Sequence, residues 1–210
     1  MNIAEYISGH EAKDRVTALV LAGGRATRMG GRDKGLVEIA GRPMIAWVLD
    51  ALRAQAGHIL VNANRNLEDY ARFGCRVVPD VEPGFLGPLA GLATGMAHAT
   101  TDYVVTAPCD SPLVAPDLVR RLYSACTGAD ADIAVAHDGA RLQPVFALAR
   151  RDLEPDLRAW LAAGERKIDL WFARHRLAEV DFSDRAETFV NVNDPDDRAA
   201  LESRLAGEPR

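Results

Sequence analysis

The sequence predicts one three-layer α/β domain, a mostly parallel central sheet covered by helices on both faces. Three observations carry this. Apolar runs of strand length alternate with helical stripes along most of the chain. No internal repeat, low-complexity stretch or long linker interrupts them. A length of 210 residues, 48% of them hydrophobic, suits one domain with a sizeable core.

The elements follow in order. Val16–Leu21 (VTALVL) is a buried strand ended by Gly23-Gly24. Pro43–Gln55 carries apolar residues at Met44, Trp47, Val48, Ala51 and Leu52, a helical stripe with Pro in its first turn. Ile59–Val61 and Arg76–Val78 are strands. Pro88–Ala99 is a helix whose Gly91 and Gly95 suit close packing on a sheet. Tyr103–Thr106 is a strand and Pro116–Cys126 a helix. Strands at Ile133–Ala136 and Pro144–Leu148 precede helices at Asp152–Ala163 and Ile168–His175. The end reads strand (Ala178–Phe182), strand (Phe189–Val192), then a helix from Pro195. The domain is expected over residues 16–205, with residues 1–15 and 206–210 as flexible ends.

Composition removes several function classes. The net charge of −5 argues against a general nucleic-acid or anionic-membrane binder. Cys75, Cys109 and Cys126 lie far apart with no CxxC pair, which leaves no zinc ribbon, thioredoxin motif or disulfide framework. The longest apolar run, Met44–Leu49, is far short of the ~18 residues of a membrane span. The first fifteen residues lack an apolar core of signal-peptide type, so a soluble, cytoplasmic protein is expected. Of the 25 basic residues only Lys13, Lys34 and Lys167 are lysines; the arginine excess reads as composition bias.

In an α/β sheet, ligands bind beyond the carboxyl ends of the strands. The first such exit is the most informative: Leu21-Ala-Gly-Gly-Arg-Ala-Thr-Arg-Met-Gly-Gly-Arg-Asp-Lys-Gly35. Its glycines permit close backbone approach, so successive N–H groups can line an anion-binding concavity. Arg25, Arg28, Arg32 and Lys34 against Asp33 give it a local +3 inside an acidic chain. That combination is equipped for a polyphosphate. It is not a Walker A, which requires GxxxxGK[ST], and no GxGxxG follows the first strand. Asp110 follows another apolar strand and a Pro, placing a carboxylate at a strand exit. It reads either as an Asp-Ser-Pro turn or as a metal ligand; Mg²⁺ needs only one or two carboxylates beside phosphate oxygens and water. Asn62, Asn64 and Asp80 sit past two further strands, where amides and a carboxylate suit base or ribose recognition; Asn64 reads equally as a turn residue. Asn191 and Asn193 alternate with Val190 and Val192, so both amides are expected on one face of a strand. Five histidines show no ligand spacing, and no GxSxG appears.

The spacing LAGGxxxRMGGxDKGL resembles the nucleotidyltransferases with the Rossmann-like nucleotide-diphospho-sugar transferase fold, and within them the molybdenum cofactor guanylyltransferase family (molybdopterin-guanine dinucleotide biosynthesis protein A). Gly87-Pro-Leu-Ala-Gly-Leu92, Ala107-Pro-Cys-Asp-Ser-Pro112, Gly164-Glu-Arg-Lys167 and Phe189-Val-Asn-Val-Asn193 resemble further blocks of it, in order. The sugar-phosphate branch usually has Pro before the motif lysine, where this chain has Asp33; cytidylyltransferase branches more often read LAAG, where this chain has Gly24.

The resemblance implies GTP contacts at Leu21, Ala22, Gly23, Lys34, Asn62, Asp80 and Asp110, with Asp110 the Mg²⁺ ligand. Gly24 and Gly31 would join the phosphate cradle, and Arg28 and Lys34 would offset charge on departing pyrophosphate. Asn191 and Asn193, with less weight Arg166, would bind the acceptor. The implied reaction joins GMP from GTP to molybdopterin (Mo-molybdopterin), with molybdenum-cofactor biosynthesis proteins and molybdoenzymes as further partners. Its rivals are a molybdopterin cytidylyltransferase, a sugar-phosphate nucleotidylyltransferase and a non-catalytic cofactor carrier.

Overall fold

The computed structural model describes residues 3–24, 33–81, 87–192 and 195–207. Its strands are β1 (Val16–Leu21), β2 (Glu38–Ile39), β3 (Arg42–Pro43), β4 (His58–Asn62), β5 (Arg76–Val78), β6 (Tyr103–Pro108), β7 (Ile133–His137), β8 (Leu142–Arg150) and β9 (Leu177–Asp181). Its helices are α1 (Ile3–Arg15), α2 (Met44–Arg53), α3 (Leu67–Ala71), α4 (Pro88–His98), α5 (Leu118–Gly128), α6 (Glu154–Ala162), α7 (Ile168–Phe172) and α8 (Pro195–Gly207).

Seven strands make one sheet in the order β5-β4-β1-β6-β8-β7-β9, and β2 and β3 form a separate small hairpin. Only β8 runs against its neighbours in the large sheet. The reversal follows from the short link between β7 and β8: the Asp138 carboxylate accepts the N–H groups of Ala140 and Arg141 at 2.8 Å, and Gly139 supplies φ +95°. The other connections run through helices or longer segments, and apart from β8 the strands of the large sheet are parallel.

Strand alternation builds two core layers. Val16, Ala18 and Val20 of β1 join Val105, Ala107, Ala134 and Ala136 under α1, α2 and α5. Leu19 points the other way and joins Leu60, Val104, Ile133 and Val135 under α4, α6 and α7. Helix α2 buries Met44, Ile45, Val48, Leu49 and Leu52, each worth roughly 1.5–3 kcal/mol of apolar burial. The glycines expected to admit close packing do so. A Cβ on Gly95 would clash with the Leu19 side chain, and one on Gly91 would stand 2.6 Å from Asn62 Oδ1. No helix among the described residues is long and apolar enough to cross a membrane.

Two expectations need correction. Residues 3–15 are not a flexible end: α1 packs on α5, Ala12 is buried, the Ser8 and Ser124 hydroxyls pair, and Arg15 closes on Asp102 at 2.6 Å. Small and polar contacts hold this helix, so no broad apolar stripe announces it. Phe189–Val192 is not a strand. Ser183–Phe189 winds as a 3₁₀ segment, and Val190–Val192 runs on without sheet pairing. The aromatic Phe189 packs edge-on against Phe146 and Phe182 instead, which fixes this segment across the sheet's end.

Candidate active site

Strand β1 lies between β4 and β6, and the chain visits β4 and β5 on one side before crossing to β6 on the other. This is the switch point at which an open α/β sheet leaves a crevice. The register aligns Leu21 with Asn62 on one side and Pro108 on the other, and Asn62 with Val78. The chain segments leaving β1, β4, β5 and β6 therefore emerge side by side.

Beyond that row the backbone stays stitched. Ala22 donates to the Asn62 carbonyl at 2.8 Å, and Cys109 donates to that of Leu21 at 3.0 Å. Asp110 thus stands beside the turn that carries Lys34, and Lys34 Nζ lies 2.9 Å from Asp110 Oδ2. Both side chains are largely enclosed, 24% and 14% exposed. Cys109 is buried, and burial next to Asp110 and Asp33 pushes its thiol well up; it packs rather than reacts.

One strand over, three polar residues lock together. Asp80 accepts Asn62 Nδ2 on Oδ1 and Asn64 Nδ2 on Oδ2, each at 2.8 Å, and its own N–H donates to Asn64 Oδ1 at 2.8 Å. Asn62 also donates to the Val78 carbonyl at 3.1 Å. Asn64, which sequence reasoning left open, sits in the bend after β4 and from there holds Asp80 in place. Two motif glycines enclose this group: a Cβ on Gly23 would stand 3.1 Å from Asn64 Nδ2, and one on Gly91 would press on Asn62. Gly91 sits in the first turns of α4, which starts at Gly87-Pro88 with φ +85° at Gly87 and no acidic residue in the first turn. Asp80 also borders a cleft of about 270 Å³ between α4 and α6.

The segment after Phe189 returns to the site from the far side. Val192 donates to the Asp110 carbonyl at 2.9 Å, and Ser111, buried, donates to Asn191 Oδ1. Asn191 is brought to the Asp110 strand end, although by an unpaired segment in which Val190 is exposed and Val192 buried. Arg28, Gly31 and Asn193 lie outside the described residues, as do Arg25 and Arg32. The Arg166 guanidinium donates to the carbonyls of Leu161 and Glu165 at 2.6 and 2.7 Å, closing the end of α6.

Several residues were not singled out in the sequence. Arg65 Nη2 donates to the Gly24 carbonyl at 3.2 Å, tying the exit of β4 to the glycine loop. Asp33 turns inward, where the buried Tyr70 hydroxyl donates to Oδ1 and Asn66 Nδ2 to Oδ2. The available signal was an acid inside an otherwise basic loop; its partners sit on α3, a five-residue helix too short to read from periodicity.

Known proteins resemble this chain along most of its length. Residues 18–180 match the MobA-like NTP transferase domain. A molybdenum cofactor guanylyltransferase of Shewanella piezotolerans is 48% identical over 193 residues, 92% of this chain and 95% of that protein. The structure of molybdopterin-guanine dinucleotide biosynthesis protein A from Archaeoglobus fulgidus aligns with TM-score 0.78 at 23% identity, covering 91% of this chain and all of that one. The Mycobacterium tuberculosis protein Rv0371C, solved in complex with manganese, aligns with TM-score 0.60 at 20% identity over 90% of this chain and 98% of its own. These two structural likenesses speak to the fold alone, whereas the domain match and the sequence identity reach further. On them, the chain belongs to the molybdenum cofactor guanylyltransferase family and is a nucleotidyltransferase.

Proposed function

We propose that the protein transfers GMP from GTP to the terminal phosphate of molybdopterin, as Mo-molybdopterin, by in-line displacement, releasing pyrophosphate and forming molybdopterin guanine dinucleotide. The observation that carries this reading is the Lys34–Asp110 pair, 2.9 Å apart at the exits of two adjacent parallel strands, with Asn62 and Asp80 beside it. A cation, a metal-competent carboxylate and a base-reading group then flank one crevice.

The donor set suits Mg²⁺ that arrives with a triphosphate. Among the described residues no cluster of three or more His, Cys, Asp or Glu could cage a metal, whereas Mg²⁺ commonly takes one carboxylate beside phosphate oxygens and water. Asp110 would hold it, and bound there it would neutralise charge on the reacting phosphate. The protein's own groups do the rest. The backbone of Gly23 and Gly24, continued by Gly31, cradles the phosphate chain, with Leu21 and Ala22 as further GTP contacts. Lys34, with Arg28, meets the charge that grows on departing pyrophosphate. Asn62 and Asp80 read base and ribose, and Asn191 with Asn193 orients the acceptor. A phosphate monoester has its second pKa near ~6, so the nucleophile is already largely dianionic and needs no general base. Catalysis then reduces to positioning and charge neutralisation. The reaction is assigned to the cytoplasm, upstream of other cofactor-biosynthesis proteins and molybdoenzymes.

Incubation with α-labelled GTP, Mg²⁺ and molybdopterin tests the reading. A labelled dinucleotide with stoichiometric pyrophosphate is expected. A clear preference for CTP would overturn the base assignment, and no pyrophosphate with both substrates present would make the protein a carrier.

A further inference from the structure

We propose that Asp33 is the positioning residue of Lys34: its buried carboxylate, latched by Tyr70 and Asn66, sets the distance between the lysine and Asp110. The inference rests on the catalytic reading of Lys34 above and extends it to residues that no part of that reading uses.

Four observations converge on it. Asp33 is a carboxylate at only 9% exposure, met by two neutral donors, the Tyr70 hydroxyl and Asn66 Nδ2 at 3.2 Å. Such a buried acid is costly unless its hydrogen bonds are made, so the turn is held wherever those donors stand. Those donors are themselves rigid. Tyr70 is fully buried, and Asn66 adopts φ +49°, a left-handed conformation that fixes the start of α3. The turn after Asp33 is closed by Leu36 N–H to the Asp33 carbonyl at 3.0 Å and Val37 N–H to that of Lys34 at 3.1 Å. Finally, Gly35 is wedged at the junction: a Cβ there would stand 2.6 Å from Tyr70 Oη and 3.3 Å from Cys109 Cβ, and Cys109 is the residue before Asp110. Tyr70 therefore holds the lysine turn through Asp33, and Gly35 packs between Tyr70 and Cys109, which joins that turn to the segment carrying Asp110.

The backbone of Asp33 sharpens the argument. Its φ of −69° lies in the range that a proline ring enforces, so a proline placed here would impose the same φ. Backbone shape and side-chain latch can thus be separated by substitution.

The test measures kcat for pyrophosphate release at saturating substrates, with a thermal melt for each variant. Asp33→Ala is expected to lower kcat about 10- to 100-fold, the loss that follows from misplacing a catalytic group by an ångström or so. Asp33→Pro should fall as far, despite its matching φ. Asp33→Asn, which keeps an acceptor for Tyr70 but loses the one that Asn66 Nδ2 uses, should fall between wild type and Asp33→Ala. Tyr70→Phe, a conservative core change, should lose roughly 2- to 10-fold. In a Lys34→Ala background, Asp33→Ala should cost little more. Wild-type turnover in Asp33→Pro, or an Asn variant as poor as Ala, would overturn the latch. So would a full additional Asp33→Ala loss in the Lys34→Ala background, which leaves the role of Lys34 standing. If Lys34→Ala itself turns over normally, the catalytic reading fails separately.

Discussion

Two aspartate–cation groups lie at opposite ends of the sheet, and they are built differently. At β7 and β9, Asp132 is used by the chain on both oxygens. Arg176 approaches it in bidentate fashion, Nη2 at 2.8 Å from Oδ1 and Nε at 3.1 Å from Oδ2, and adds its backbone N–H at 3.1 Å. Arg150 stands 3.9 Å away, and Asp130 takes a further nitrogen of Arg176. Asp132 and Ile133 in turn donate to the Arg176 carbonyl, so the cluster staples the start of β7 to the start of β9. At β1 and β6, by contrast, Lys34 meets Asp110 through one oxygen, and the lysine is a point charge without a fork. A carboxylate saturated by arginine is a fastener. One that meets, among the described residues, a single ammonium at a crevice keeps coordination capacity for a ligand.

The widest break in that comparison is Asp110→Ala against Asp132→Ala. The first is expected to lower dinucleotide formation at least about 100-fold with the melting temperature little changed, since a preorganised charge at a phosphoryl site commonly carries that much. The second should leave turnover near wild type and lower stability instead. Steady-state kinetics and a melt on each protein check both halves. Near-normal turnover in Asp110→Ala would remove it from the reaction.

How much of this was legible in the sequence depends on what held each part. Strands such as Val16–Leu21 and Ile133–His137 were readable because burial on both faces leaves a nearly continuous apolar run. Lys34, Asp80 and Asp110 were readable because strand exits are where such a sheet binds ligands, although their roles came from resemblance. The latch under Lys34 was not. Asp33 and Tyr70 are 37 residues apart, and nothing local in either segment requires the other. Helix α1 escaped for a related reason: its fit depends on Ser8, Ala12 and Arg15 meeting α5 and β6, which only the folded chain brings near. The 189–192 segment misled because alternating Val and Asn has the period of a strand, whereas among the described residues it pairs with no strand.

A finer break separates the site from the core within one helix. Gly91 and Gly95 of α4 face the sheet one turn apart, Gly91 against Asn62 and Leu21, Gly95 against Leu19. Each Gly→Ala change forces a methyl into filled space and should cost about 1–3 kcal/mol of stability. Only Gly91→Ala also displaces Asn62, and with it Asp80, so GTP affinity by calorimetry should fall roughly tenfold in that variant alone. Equal affinity in the two would detach the Asn62–Asp80 group from nucleotide binding.

The smallest expected effect concerns the fastener and is read by pH. Hydrogen bonds from Arg176, only partly opposed by burial, hold the Asp132 carboxyl down to about 2, below its ordinary 3.8. Because the folded state binds this proton less readily than the unfolded chain, the group contributes stability above about pH 3.8 and loses it as pH falls toward 2. Asp132→Asn should therefore cost about 1 kcal/mol at pH 7, in line with a solvent-accessible charged pair, and its stability curve should converge on wild type between pH 3.8 and 2. The penalty should shrink in 1 M salt, where the Debye length is about 3 Å. Urea melts across that range measure it. A deficit that persists undiminished at pH 2 would assign the loss to packing at the β7–β9 junction rather than to charge, and the contrast with Asp110 would then rest on the site alone.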